Sequence, residues 1–274
     1  MRALGHGAKR ERNGQMVTIQ LLAGEDILAE ASHQNKAQLY YPEAYPEAAR
    51  LRVLAPSGHL WVQVDQAVAP ALLYLPEGSL SYAVPQGEER RPYPPQAFAG
   101  TGHLVKAWLP AGEEIFARRN LAHNPADQRG ETNAYPHASA NVETRDESVF
   151  AARNVIDGDV VSFSHGGWPF QSWGIGARED AWLMVEFGRE VLADEMALVL
   201  RADFPHDTYW VSGRAVLSDG SAIPFTLQKT GEPQHFNLGT HRISWLRLEG
   251  LVKSDEPSIF PSLTELEIYG RETD

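Results

Sequence analysis

Ala152-Arg153-Asn154-Val155-Ile156-Asp157-Gly158-Asp159 and the closing run Leu263-Thr264-Glu265-Leu266-Glu267-Ile268-Tyr269-Gly270 are the two most informative segments of the chain. The first runs from a short apolar turn into an acidic glycine loop. The second alternates apolar and polar side chains, the period of a half-buried strand, and carries the carboxylate Glu265 within it.

The same period of two recurs along the chain. Val17–Leu22, Leu51–Leu54, Leu60–Val64, Ala71–Leu75 and Leu104–Leu109 show it in the first half. Ala181–Phe187, Glu195–Arg201, Tyr209–Leu217, Ala222–Leu227, Ile243–Leu251 and Leu263–Tyr269 follow in the second. Turn chemistry separates them, as in Pro76-Glu77-Gly78 and Pro110-Ala111-Gly112. Asp219-Gly220, set between two alternating runs, predicts a tight hairpin. A single short helix is expected over Asp146–Val155, with Asp146 as its N-cap. The fold class is therefore all-β. The tandem Tyr41-Pro42-Glu43-Ala44, Tyr45-Pro46-Glu47-Ala48 is the one internal repeat and reads as a proline-stiffened connector.

With 274 residues the chain suits two domains and can bury sizeable cores, and with no cysteine it needs no disulfide framework. That lack also removes thiolate chemistry and Cys-based zinc sites. A net charge of −12 argues against a phosphate backbone or an anionic membrane as partner. No apolar run reaches the roughly 20 residues of a spanning helix. Residues 1–16 are basic and polar, reading as a disordered lead-in with no secretory signal, so a cytoplasmic location is expected. Domain boundaries are placed at 17–118, a β-rich unit of unassigned family, and 119–274.

Five segments in order carry a resemblance over roughly residues 119–271: Asn120-Leu121-Ala122, Ala138-Ser139-Ala140, the acidic loop from Ala152, Trp182-Leu183-Met184-Val185-Glu186-Phe187-Gly188, and the terminal strand. This part resembles a factor V/factor VIII type C (discoidin) domain, the galactose-binding-like jelly-roll β-sandwich found in many carbohydrate-binding modules. The resemblance implies a structural calcium ion. Its ligands would be the carbonyl of Asn154, the side chains of Asp157 and Asp159, Ser162, the carbonyl of Thr264 and the carboxylate of Glu265. Calcium takes six to eight oxygens of this mixed kind. Ser162 stands where the family often has Thr, and the alternative for the whole loop is a solvated Asp-Gly turn without an ion.

After that loop comes Ser164-His165-Gly166-Gly167-Trp168-Pro169-Phe170-Gln171-Ser172-Trp173, and after a later strand Arg201-Ala202-Asp203-Phe204-Pro205-His206-Asp207-Thr208-Tyr209-Trp210. Aromatic faces suit the C–H faces of a pyranose, while charged side chains meet hydroxyls that both donate and accept. In the modules that this region resembles, a His soon after the calcium loop and an Arg at a strand end bind the sugar. The resemblance therefore implies His165 and Arg201 as ligand residues, with Trp168, Trp173, Phe204 or Trp210 as platform and Asp203 and His206 as further partners. Trp182, Trp245 and Trp108 sit in alternating strands and read as structural, and Trp61 as a solvent-side strand aromatic. Phe163-Ser164 replaces a Trp common in the family, and the loop is longer and more aromatic, so the ligand need not be galactose.

Non-catalytic carbohydrate recognition is the function this implies. A protein-interaction module, gripping a partner chain or a second copy through the same loops, is the main alternative, because aromatics and Arg are also hot-spot residues. A metal-dependent hydrolase built on His165, His206 and Asp207 is the third. The sequence holds no Gly-x-Ser-x-Gly elbow, phosphate loop, dinucleotide fingerprint or His-Glu-x-x-His.

Overall fold

The computed structural model describes residues 15–130, 132–164, 166–201, 203–204 and 206–273. The expected strand richness holds throughout. In the first part, β1 (Met16–Ala23), β2 (Asp26–Gln34), β4 (Ala49–Leu54) and β7 (Ser79–Ala83) form an antiparallel sheet in the order β2-β1-β4-β7. β3 (Lys36–Tyr41), β5 (Gly58–Gln63), β6 (Ala71–Leu75) and β8 (His103–Trp108) form a second, in the order β3-β8-β5-β6. Alternate residues of both sheets fill one apolar cluster: Val17, Ile19 and Leu21 from β1, Leu51 and Val53 from β4, Leu60 and Val62 from β5, Val105 and Ala107 from β8. The two sheets make a sandwich, each strand burying one row of side chains as period-two patterning requires.

The second part is one sheet that wraps around its own core. Its order is β11-β16-β12-β15-β13-β14, from β11 (Trp173–Gly174), β12 (Leu183–Leu200), β13 (Trp210–Leu217), β14 (Ala222–Thr226), β15 (Gln234–Lys253) and β16 (Ser262–Glu272). β9 (Arg119–Asn120) adds to β16 and β10 (His137–Ala140) to β12. Two alternating runs expected as separate strands, Ala181–Phe187 and Glu195–Arg201, are halves of the single strand β12. Its pairing with β15 shifts register between Glu186 and Val191 and again between Ala193 and Glu195. Gly188 lies in the first break at φ +66°, and a Cβ there would sit 2.2 Å from the Tyr135 ring. Such bulges let a long strand bend around a core. Between the faces lie Leu183, Val185, Phe187, Met196, Leu198, Leu246, Leu248, Leu266 and Ile268. The predicted hairpin at Asp219-Gly220 joins β13 to β14, closed by Gly220 N–H to the Leu217 carbonyl at 3.0 Å.

The expected helix over Asp146–Val155 is replaced by three 3₁₀ turns, Thr144–Asp146, Ser148–Phe150 and Ala152–Ile156. Glu147 and Ala151 between them are extended, and Asp146 sits at φ +56°, so it caps nothing. Instead the amide of Asn154 donates to the Ser148 and Ser172 carbonyls and knots the segment together.

The two parts pack closely. Ala126 and Ala134, beyond residue 119, belong to the first cluster, whereas Leu121 and Ala122 belong to the second. Tyr74 and Tyr135 exchange backbone hydrogen bonds. Glu272 meets Arg119 and Arg189 at 2.6 Å and His59 of β5 at 3.1 Å. Tyr45 of the tandem stacks on His103, ring centroids 3.9 Å apart, so that connector is partly packed.

Candidate functional site

The acidic loop leads out of the 3₁₀ turn Ala152–Ile156 and lies against β16. Gly158 N–H donates to both oxygens of Glu265 at 3.2 and 3.3 Å. Gln171 bridges Asp157 (3.3 Å) and Asp159 (2.8 Å), and Asp159 N–H caps the Asp157 carboxylate at 2.9 Å. Glu265 and Asn154 are fully buried, and Ser162 is half-buried further along the loop. Burial pushes the Asp157 carboxyl up to about 7; the Arg153 charge opposes this and Asp159 adds to it. Glu265 is driven well above the carboxylate range, first by burial and then by the negative charge of Asp157. Burial raises all three carboxylates, and the charge of Asp159 adds to the shift of Asp157 while those of Asp157 and Asp159 add to that of Glu265, an acidic arrangement that a cation would relieve. The hydroxyl of Thr264 is also buried with no hydrogen-bond partner among the described residues. These residues thus suit a hard divalent ion in their chemistry. Among the described residues no three acidic or imidazole groups gather at ligating distance. An ion here would draw on carbonyl and hydroxyl oxygens as well as carboxylates, as calcium does.

This loop is also backed by residues from outside it, one of them, Tyr93, from the first part of the chain. Gly158, at φ +88°, passes so close to His123 that a Cβ would lie 2.6 Å from the imidazole. Arg153, 6 % exposed, stacks its guanidinium 4.6 Å from the Tyr93 ring centre and donates to the Pro125 carbonyl.

The residues expected to contact a ligand divide sharply. Trp173 is 0 % and Trp210 2 % exposed, with ring centroids 5.9 Å apart inside the core, and the Trp173 indole N–H donates to the Val142 carbonyl. Neither presents a face to a ligand, which corrects their reading as platforms. Both open strands whose pattern is hard to see: β11 is two residues long, and β13 shifts register against β15 between Trp210 and Ser212 and again before Arg214. Trp168 packs half-buried on Val149, Phe150 and Phe170 as a staple of its loop. Phe204 is covered by Lys229, whose Nζ lies 4.7 Å from its ring centre. His165 lies outside the described residues. Trp182 and Trp245 are half-buried and lie outside the core cluster, with Arg247 over Trp245 at 5.9 Å. Trp61 and Trp108 stack on each other across β5 and β8, centroids 5.7 Å apart.

Arg201 and His206 do come together. They line a cavity of about 90 Å³ at the end of the sandwich, with Arg145, Phe150, Phe260 and Ser262 among the other walls. Arg201 is buried where β12 ends, and Asp207 grips it in a fork, accepting from Nε at 2.8 Å and Nη2 at 2.5 Å. Asp207 is itself 0 % exposed and accepts from the Asp203 amide at 3.1 Å, while its own N–H donates to the Asp203 carbonyl. Asp203 therefore shapes the loop that holds the arginine. The third guanidinium nitrogen, Nη1, is buried with no hydrogen-bond partner among the described residues. His206 stacks on Phe260, centroids 5.7 Å apart and planes 15° from parallel. Phe260 was missed in the sequence. It lies in Asp255-Glu256-Pro257-Ser258-Ile259-Phe260-Pro261, an apolar pair in a polar, proline-bounded loop, the signal that marks Trp168 elsewhere. With its carboxylate committed to Arg201, Asp207 is not available as a metal ligand, and the His/Asp hydrolase reading loses that member.

Fold and site together define an all-β protein whose C-terminal sandwich carries an acidic loop on β16 and a small cationic pocket at its end. No protein-family model matches the chain, and no curated protein matches it. Solved structures similar to it include chitosan-binding module 1 from a Paenibacillus sp. IK-5 chitosanase/glucanase, at 19 % identity over 56 % of this chain and 99 % of that one, TM-score 0.39. Others are the family 32 carbohydrate-binding module of Clostridium perfringens NanJ in complex with galactose (16 %, 48 % and 91 %, TM-score 0.38) and the lectin domain of lectinolysin complexed with Lewis B antigen (16 %, 57 % and 98 %, TM-score 0.41).

Proposed function

We propose that the chain is a non-catalytic carbohydrate-binding protein, with its ligand site in the pocket at Arg201 and a structural calcium in the Asp157–Glu265 loop. The observation that carries this is the Arg201 guanidinium. It is fixed by Asp207 on two nitrogens, its Nη1 is buried with no hydrogen-bond partner among the described residues, and the residue lines a cavity that His206 and Phe260, stacked on each other, also line. A buried donor without an acceptor costs about 1–3 kcal/mol, which a ligand oxygen recovers. Phe260, 39 % exposed, offers an apolar surface to a sugar ring. Calcium would be held by Asp157, Asp159 and Glu265 with the carbonyls of Asn154 and Thr264 and the Ser162 hydroxyl. It would supply charge neutralisation to a buried acidic loop and no chemistry on the ligand.

The test is a glycan-array screen of the whole chain in calcium. Specific binding by wild type that Phe260→Ala weakens, with the fold intact, supports the site. A blank array from folded protein overturns it. The protein-interaction reading has its own support in the acidic loop's continuation, where Val160, Val161 and Phe163 are exposed, Phe163 by 80 %. A blank array combined with a self-association that Phe163→Ser abolishes would favour that reading.

A further inference from the structure

The pocket at Arg201 has a charge character that the chain as a whole lacks. The protein carries a net charge of −12, yet no Asp or Glu is among the described residues lining this cavity, whereas Arg145, Arg201 and His206 all do. The balancing carboxylates do not line the cavity. Asp207 takes the Nε and Nη2 side of Arg201, and Glu147 takes Arg145 through Nε and Nη2. Both guanidinium groups also lie against Phe150, Arg145 at 5.3 Å and Arg201 at 5.6 Å from its ring centre.

A sugar hydroxyl donates as well as accepts, and a neutral sugar with vicinal hydroxyls wants a side-chain acceptor alongside its donors. This wall offers guanidinium donors and no carboxylate. A carboxylate, which only accepts, is the complementary group, and arginine's planar fork matches it in shape as well as charge. At about 90 Å³ the cavity has room for such a substituent and not for a whole pyranose, whose ring would rest outside on Phe260. The way in is through side chains that can move: Arg145 is 61 % and Phe260 39 % exposed.

We propose that this pocket recognises the carboxylate of an acidic sugar, a uronate or a sialate, with Arg201 Nη1 and Arg145 as its partners. This rests on the reading of the pocket as a sugar site and narrows it to a ligand class. The test is calorimetric or NMR titration of the whole, calcium-loaded chain with galacturonate, glucuronate and sialate glycans, each beside its carboxyl methyl ester and a sulfated counterpart. The acids should bind about tenfold more tightly than their esters, a charge-assisted pair being worth roughly 1.4 kcal/mol here. Arg145→Gln, at an exposed position, should leave the fold intact and cut the acid's affinity by a larger factor than the ester's, so that the acid preference shrinks. Equal binding of acid and ester, an acid preference that Arg145→Gln leaves undiminished, or a preference for sulfate over carboxylate would overturn the proposal and leave the sugar site standing. Failure of acid and ester alike to bind the folded chain would sink the sugar-site reading itself.

Discussion

Replacing Glu265 with Gln separates a cation-binding loop from a merely acidic turn. The wild-type carboxylate is fully buried, receives only the Gly158 amide among the described residues, and faces the charge of Asp157 and Asp159. Without an ion this is a cost, since a buried charge needs a partner. With a calcium ion present at 100 times its dissociation constant, a native-only site stabilises by about 2.7 kcal/mol, and a chain of this length moves by roughly 2 °C per kcal/mol, so Tm should rise by about 5 °C. Glu265→Gln keeps the shape and an acceptor for Gly158 and removes one negative charge. In chelator the variant should therefore melt at or above wild type, and calcium should no longer shift it. Differential scanning calorimetry of both proteins, in chelator and in calcium, reads all four values. A wild-type Tm indifferent to calcium, or a calcium shift that survives Glu265→Gln, would refute the reasoning.

Other outcomes follow from the packing. Trp173→Ala empties a fully buried site and should cost about 3–5 kcal/mol in denaturant unfolding; a cost under 1 kcal/mol would mean the indole is not core. Gly158→Ala places a Cβ against His123 at a positive φ, and a loss of about 1–3 kcal/mol or more is expected from the strain. Burial alone would raise the Glu272 carboxyl, but Arg189 and His59 hold it well below the carboxylate range. Its stabilisation is therefore present above the unfolded pKa of about 4.5 and is lost as pH falls through the lower folded value. Urea midpoints should drop between pH 5 and pH 3 by more in wild type than in Glu272→Gln, and equal drops would contradict the pairing.

The strands were legible because their parity survives in the sequence: Val17, Ile19 and Leu21 all point inward, as the alternation says. What escaped is where parity breaks. β12 reads as two strands because Gly188-Arg189-Glu190 interrupts the alternation and the shift between Ala193 and Glu195 moves the buried row from Val191 and Ala193 to Met196 and Leu198. Trp210 and Ala215 both face the core at an odd spacing, which the shifts around Ser212 allow and no periodicity reveals. The acidic loop could be read because its residues are neighbours in sequence and the closing strand repeats a recognisable run. The pocket could be read only in part. Arg201 is local to its loop, but Phe150 and Phe260 reach it from segments with no regular pattern. The grip of Asp207 on Arg201, six residues apart across a turn, is a fact of loop geometry that composition does not hold.

The most direct test of the account is a crystal structure of the calcium-loaded chain with a bound glycan from the array. The account predicts sugar density against Phe260, with an oxygen within hydrogen-bond distance of Arg201 Nη1. Density for a specific glycan elsewhere, with the Arg201 pocket empty, would contradict it.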